Sequence, residues 1–307
     1  MINFRYHVVS LTAVFMALAI GLVLGTTALN GAIADQLRDQ VTGLGQQNQE
    51  YRDLINHLED DVASREAFAT AIAPALLDGR LAANRVLVVS LPSGADYVND
   101  VADMLTTADA TIAGRLEIKD KFTDPAFNDE LLDLAHTSLP VGLGGTLPTN
   151  TDGVEASAAL LAAVLLDHTP EVTADDRQKV LDAYRGKGYL TVAKDVTATA
   201  EVVVVISGPP VTDKEAARKN LAVVTMVDQF DQAGNVVVAS TSDAGDGNVV
   251  AQLRGDPRLK ANVSTVDNVS TPQGRLVTAL AVVNQLAGRP GHYGIGAGAT
   301  LLPKMTQ

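Results

Sequence analysis

The chain has 307 residues, 47% of them hydrophobic, and a formal charge of −13. Its length allows one large domain or two small ones plus appendages, and its acidic balance, with no basic cluster, excludes the phosphate neutralisation on which a nucleic-acid binder depends. Aromatics make up only 4%, which leaves little for base stacking, and the absence of cysteine removes disulfides, thiolate nucleophiles and soft metal ligation through thiolate.

The first element is the run "HVVSLTAVFMALAIGLVLG", His7 to Gly25. No charge occurs from Val8 to Ala34. As a helix, residues 8–29 span roughly 33 Å at about 1.5 Å per residue, which matches the hydrocarbon thickness of a bilayer. A buried core helix seldom runs this long without a polar face. A cleaved export signal is the stronger competitor, because Ala32-Ile33-Ala34 offers a small-x-small site. The apolar stretch nevertheless exceeds the usual signal core of roughly 7 to 15 residues, so a retained anchor is expected. Arg5 precedes the span and Asp35 follows it, which places residues 1–7 in the cytoplasm and the rest outside the membrane. Gly21 and Gly25 form a GxxxG that flattens one helix face for close approach of a second helix.

Residues 30–73 read as a stalk. Apolar positions alternate by four and three through Leu37, Val41, Leu44, Asn48, Tyr51, Ile55, Leu58 and Val62. Val41, Asn48, Ile55 and Val62 take the a positions, and Leu37, Leu44, Tyr51 and Leu58 take d. β-Branched residues at a with leucine at d favour a parallel two-stranded coil, and one Asn at a sets register. The alternative is an amphipathic helix lying on its own domain. Gly43 and Gly45 predict local fraying or a bend, Arg65 interrupts the seam, and Pro74 is expected to end or turn the helix.

From residue 84 to 307 the pattern becomes α/β. Arg85–Pro92, Glu201–Gly208 and Asn235–Ser242 read as buried strands, with weaker strands at Thr111–Ile118, Tyr189–Ala193 and Val263–Val269. Helices are expected at Asp96–Thr107, Val154–Asp167, Asp175–Tyr184, Asp213–Phe230 and Gln273–Leu286. Continuous apolar strands alternating with helices predict a doubly wound, mainly parallel, Rossmann-like domain. Ser and Asp residues after the strands read as helix caps, with Thr212 and Glu215 as a capping box and Thr271 before Pro272 as another helix start.

No nucleophile-elbow, P-loop, zinc-protease or dinucleotide fingerprint is present. The five histidines, at 7, 57, 136, 168 and 292, lack ligand spacing; His57 falls on the wet side of the stalk and His168 at a helix end. "VGLGGT" (Val141–Thr146), "GIGAGA" (Gly294–Ala299) and "DAGDGN" (Asp243–Asn248) read as turns. No catalytic, cofactor or metal residue is therefore assigned. The helix "ASAALLAAVLLDH", Ala156 to His168, is apolar nearly all round and too short to cross a bilayer. It is either a central core helix or one whose Leu160, Leu161, Val164 and Leu165 line a groove or interface.

The N-terminal "FRYHVVSLTAVFMALAIGLVLG" leading into a coil, the "RVLVVSLP" strand and the terminal "AGRPGHYGIGAG" (Ala287–Gly298) resemble the actinobacterial family labelled copper transporter MctB, which includes the cell-separation factor SteB. The resemblance covers essentially the full chain. It implies a single-pass membrane protein with an extracytoplasmic α/β domain and, from the SteB members, pairing with SteA and control of a peptidoglycan hydrolase through that enzyme's coiled-coil segment. The residues suit a homodimeric, non-catalytic scaffold of this kind. They suit copper transport poorly, because one span per chain forms no gated path by itself and Cu(I) favours thiolate and thioether clusters. A copper-handling component is the alternative expectation.

Overall fold

The computed structural model describes residues 4–145, 147–167, 172–242, 244–245 and 247–304, with the side chains of 27–34 excepted. The chain divides into two units, Met1–Arg65 and Glu66–Gln307.

The first unit is built from helix α1, Phe4–Leu77, whose last turns belong to the second unit. The segment apolar enough to cross a membrane is Phe4–Thr26, 23 residues with mean hydropathy 2.5. Both threonine hydroxyls inside it are satisfied within the helix: Thr12 donates to the Val8 carbonyl at 2.8 Å and Thr26 to that of Leu22 at 2.9 Å. A hydrocarbon surrounding requires this internal satisfaction. The helix passes unbroken through Ala32-Ile33-Ala34, Gly43 and Gly45, so the expected fraying does not occur. Glycine costs about 1 kcal/mol per position relative to alanine, and good helix formers on either side outweigh that. Pro74 does not end the helix either; it lies inside, and the amide of Asp78 still donates to its carbonyl at 3.0 Å. In a last turn the missing proline N–H removes one bond and leaves the others standing.

The second unit is a mixed α/β structure around a seven-stranded sheet. The strands are β1 Arg85–Ser90, β2 Thr111–Ile118, β3 Leu190–Lys194, β4 Val202–Ser207, β5 Asn235–Ser240, β6 Ser264–Val266 and β7 His292–Tyr293. Their spatial order is β3-β2-β1-β4-β5-β6-β7. All neighbours run parallel except the edge pair β2 and β3. The direction of winding reverses between β1 and β4, which pair from Val86 with Val202 to Ser90 with Ile206.

Period-two alternation in these valine runs divides the interior into two layers. Leu87, Val89, Val203, Val205, Val236 and Val238 face one core, while Val86, Val88, Val202, Val204, Ile206 and Val237 face the other. The first core is closed by α4 Asn128–Thr137, α5 Gly153–Leu165, α6 Ala174–Gly186 and α7 Ala216–Ala233. α2 Val98–Thr107, α10 Pro272–Leu286 and the end of α1 close the second. With both faces covered, continuous apolar strands gain more than alternating ones, each buried valine contributing roughly 1.5 to 3 kcal/mol.

All six predicted strands form: β2 with the expected bounds, β3 shifted by one residue, and β1, β4, β5 and β6 shortened. α4, the short helices α3 Asp120–Thr123, α8 Val249–Gly255 and α9 Pro257–Asn262, and strand β7 were not predicted. The predicted helix at Asp213 starts instead at Ala216, and the Thr212–Glu215 capping box does not form. Asp213 replaces it, accepting from the Glu215 amide at 2.9 Å and pairing with Lys219 at 2.7 Å. Thr271 caps α10 as expected, its hydroxyl accepting from the Gly274 amide at 3.1 Å.

Candidate functional site

In the first unit the seam residues remain bare. Leu37, Val41, Leu44, Tyr51, Ile55, Leu58 and Val62 are 52–67% exposed, and Asn48 among them is also exposed. The polar flanks are held by contacts along the helix, such as Gln49 to Asp53 at 3.0 Å. His57 and the Glu59–Asp61 run are exposed, as expected of a wet flank. Gly21 and Gly25 have open space where a Cβ would stand. A long row of half-exposed aliphatic side chains beside charged flanks has the composition of a surface completed by another helix.

The second apolar helix is different. Leu160, Leu161, Val164 and Leu165 are 0–1% exposed, so the groove or interface expected as one of two options for this helix is not there. α5 is a core helix, packed between α4 and α7 against the sheet. Its polar groups are used internally: Tyr184 of α6 donates to Ser157 at 2.8 Å, and Ser157 donates to the Leu131 carbonyl at 3.2 Å. Burial pushes the Tyr184 hydroxyl upward in pKa. Buried Arg177 donates to the Val164 carbonyl at 3.0 Å, placing positive charge at the carboxyl end of α5 where the helix dipole favours it. His168 lies outside the described residues.

Parallel sheets of this kind place ligands beyond the strand carboxyl ends, where the winding reverses. Here the chain itself fills that place. The 3₁₀ turn Pro92–Tyr97 lies against the end of β4, the Leu91 amide donating to the Ile206 carbonyl at 2.9 Å and the Gly208 amide to Ser93 Oγ at 3.0 Å. An added Cβ at Gly94 or Gly208 would strike backbone across this contact. A narrow cleft of about 60 Å³ remains, its polar lining including Ser93, Lys119, Asp120, Thr123 and Ser207. That is room for a few water molecules. Asn220 closes one wall by bonding both amide and carbonyl of Val211 at 2.9 Å. Among the described residues, no three His, Cys, Asp or Glu side chains come together as a metal site.

The residues that sequence reasoning missed lie under the carboxyl-terminal glycine motif. Asp267, just past β6, is fully buried and pairs with Arg254 of α8 at 2.8 Å. Its Oδ1 accepts from the Ile295 amide at 2.7 Å and its Oδ2 from that of Gly296 at 3.2 Å. Gly294 adopts φ +125°, and a Cβ there would collide with the Asp267 carboxylate, so glycine is required both for backbone conformation and for approach. Arg254 also donates to Thr265 Oγ1 at 2.9 Å and to the Tyr293 carbonyl at 3.0 Å. Thr265 Oγ1 lies 2.8 Å from His292 Nδ1, and His292 Nε2 lies 3.0 Å from the Lys260 carbonyl. A carbonyl only accepts, so Nε2 carries the proton and Nδ1 accepts from Thr265. Burial lowers the His292 pKa, and the Arg254 and Lys260 charges add to that against the Lys260 carbonyl. "GIGAGA" (Gly294–Ala299), predicted as a turn, is thus part of a loop anchored on one buried carboxylate. The available signal was the lone Asp ending the "VSTVD" strand, with glycines spaced two apart downstream.

The family model described as "Copper transport outer membrane protein, MctB" matches residues 1–303. The chain belongs to the MctB family. Among its relatives, the copper transporter MctB of Mycobacterium leprae (strain TN) is 29% identical over 312 residues, covering 98% of each chain. The copper transporter MctB of Mycobacterium tuberculosis (strain ATCC 25618 / H37Rv) is 27% identical over 310 residues, covering 97% of this chain and 98% of the relative. The matched range spans both the apolar first helix and the glycine loop on Asp267, and the family is the one the sequence resembles.

Proposed function

We propose that this chain is a non-catalytic, membrane-anchored homodimeric scaffold that, together with a SteA-like partner, binds the coiled-coil segment of a peptidoglycan hydrolase and regulates it in cell separation. The observation that carries the reading is the bare seam from Leu37 to Val62, directly after a bilayer-length apolar helix. A shared membrane orientation makes two such helices parallel, and the a and d pattern with Asn48 favours a two-stranded coil. The GxxxG at Gly21 and Gly25 supports the same pairing within the lipid. In this reading the amino terminus is cytoplasmic and the second unit, a Rossmann-like domain, is extracytoplasmic. The backbone contact between Gly94, Gly208 and their neighbours supports a scaffold, because it occupies the place where such sheets hold cofactors. With α5 buried, contact with the hydrolase uses other surfaces of the unit, in a helix-in-groove mode. The test is binding of the hydrolase's helical segment to the full chain in nanodiscs with the SteA-like partner. Saturable binding is expected, and none at all overturns the proposal.

A second reading rests on the family description and on the relatives' names: a component of copper transport or copper homeostasis in the cell envelope. Titration of Cu(I) into the full chain separates the two. Stoichiometric binding that survives competition by a Cu(I) chelator favours the copper reading, whereas chelator retaining all the metal favours the scaffold.

A further inference from the structure

The seven-residue register of the seam, continued past Val62, reaches Arg65, Ala69, Ile72 and Leu76. At these positions the surroundings change. Arg65 is exposed and charged, paired with Asp61 at 3.8 Å. Ala69 is only 3% exposed, and Ile72 and Leu76 pack with buried Ala73 and Leu77 against the second core. That core includes Val101 and Leu105 of α2 and Leu276 and Leu280 of α10. The apolar positions of one register are therefore bare up to Val62 and covered by the chain's own domain from Ala69 onward.

We infer that the contact with a second copy of this chain ends at Val62, and that from Arg65 onward each copy spends the same helix positions on its own α/β domain. The inference rests on the homodimer reading above. An apolar stripe on a helix can be buried only once, and two-stranded packing brings axes to about 8–10 Å, a distance that leaves no room for a domain between them. Asn48 favours a second copy as occupant of the bare part, because in a parallel, in-register pair it meets its own counterpart and the amides bond to each other. Arg65 at a d position then marks the end of the zipper: a guanidinium facing its own counterpart across a seam would be repelled and desolvated.

The chain has no cysteine, so single-cysteine variants of the full chain in bilayers report contact cleanly. Disulfides are expected in Leu44→Cys and Leu58→Cys, and a yield at least about tenfold lower in Ile72→Cys, because bridging needs Cβ atoms about 4 Å apart. Spin labels at the exposed Glu50→Cys and Ala71→Cys give a second measurement without touching the core. Both occupy c positions three heptads apart, so a continuous coil makes their inter-copy distances equal. The expected result is a narrow distribution at Glu50 and a longer, broader one at Ala71. Equal distances, or Ile72→Cys linking as well as Leu58→Cys, overturn the inference and leave the homodimer standing. No disulfide at Leu44→Cys or Leu58→Cys overturns the homodimer itself.

Discussion

Asp267→Asn tests the claim that one buried carboxylate holds the carboxyl-terminal loop. The substitution preserves shape and removes charge. Asp267 is fully buried, faces Arg254 at 2.8 Å and accepts the amides of Ile295 and Gly296 at 2.7 and 3.2 Å. An asparagine oxygen replaces one acceptor, and its NH₂ then confronts either the guanidinium or a loop amide, donor against donor. Removing one member of a buried ion pair costs about 3–5 kcal/mol, and the retained oxygen recovers about 1 kcal/mol of that, so the net loss is about 2–4 kcal/mol. Against a typical stability of about 5–15 kcal/mol this is readily measured. Urea unfolding of the full chain in detergent, followed by near-ultraviolet circular dichroism of its tyrosines, should show a lower midpoint with an unchanged slope. Limited proteolysis should cut first within 294–304. A variant within about 0.5 kcal/mol of the parent, with the loop still protected, would refute the anchoring role.

Leu161→Ala should cost about 3–5 kcal/mol in the same unfolding assay, as for a core leucine leaving a cavity; a loss below about 0.5 kcal/mol would return α5 to the surface. Tyr184→Phe should cost about 1 kcal/mol by removing the hydroxyl that donates to Ser157, also read from the urea midpoint. His292 has a pKa lowered in the folded chain from 6.5, so the unfolded chain takes up the proton first as pH falls. Its contribution is present above pH 6.5, declines below it and is lost as pH falls through the folded value. Stability measured from pH 8 downward should show this loss, and His292→Gln should flatten that part of the profile; an unchanged profile would count against the Thr265–His292–Lys260 chain. Asn48→Ile should strengthen self-association of the full chain while admitting other oligomeric states, seen in cross-linked ladders.

Local pattern made much of this chain legible. A span of uncharged apolar residues, the seven-residue spacing from Leu37 to Val62 and the valine runs of β1, β4 and β5 each depend on neighbours within one turn or one strand, so periodicity reports them directly. Short elements were harder to read. β7 has two residues, α8 seven and α9 six, and strands or helices of that length leave too few repeats to show a period. Glycines 43 and 45 and Pro74 were overestimated as breakers, because local cost was weighed without the long helix around them.

The Asp267 site was hidden for another reason. Its members come from α8, the end of β6, β7 and the loop after it, and nothing in their spacing shows that a lone Asp, a lone Arg and two glycines, Gly294 and Gly296, share one point. What the sequence determined alone was which segments are apolar, with what period and beside which charges, since these are properties of the chain before it folds. Only the tertiary structure decided which apolar faces are already covered: α5 and the positions from Ala69 onward are, and the seam from Leu37 to Val62 is not. Burial is a relation between distant segments, and the same leucine reads identically in sequence whether a neighbouring helix lies over it or water does.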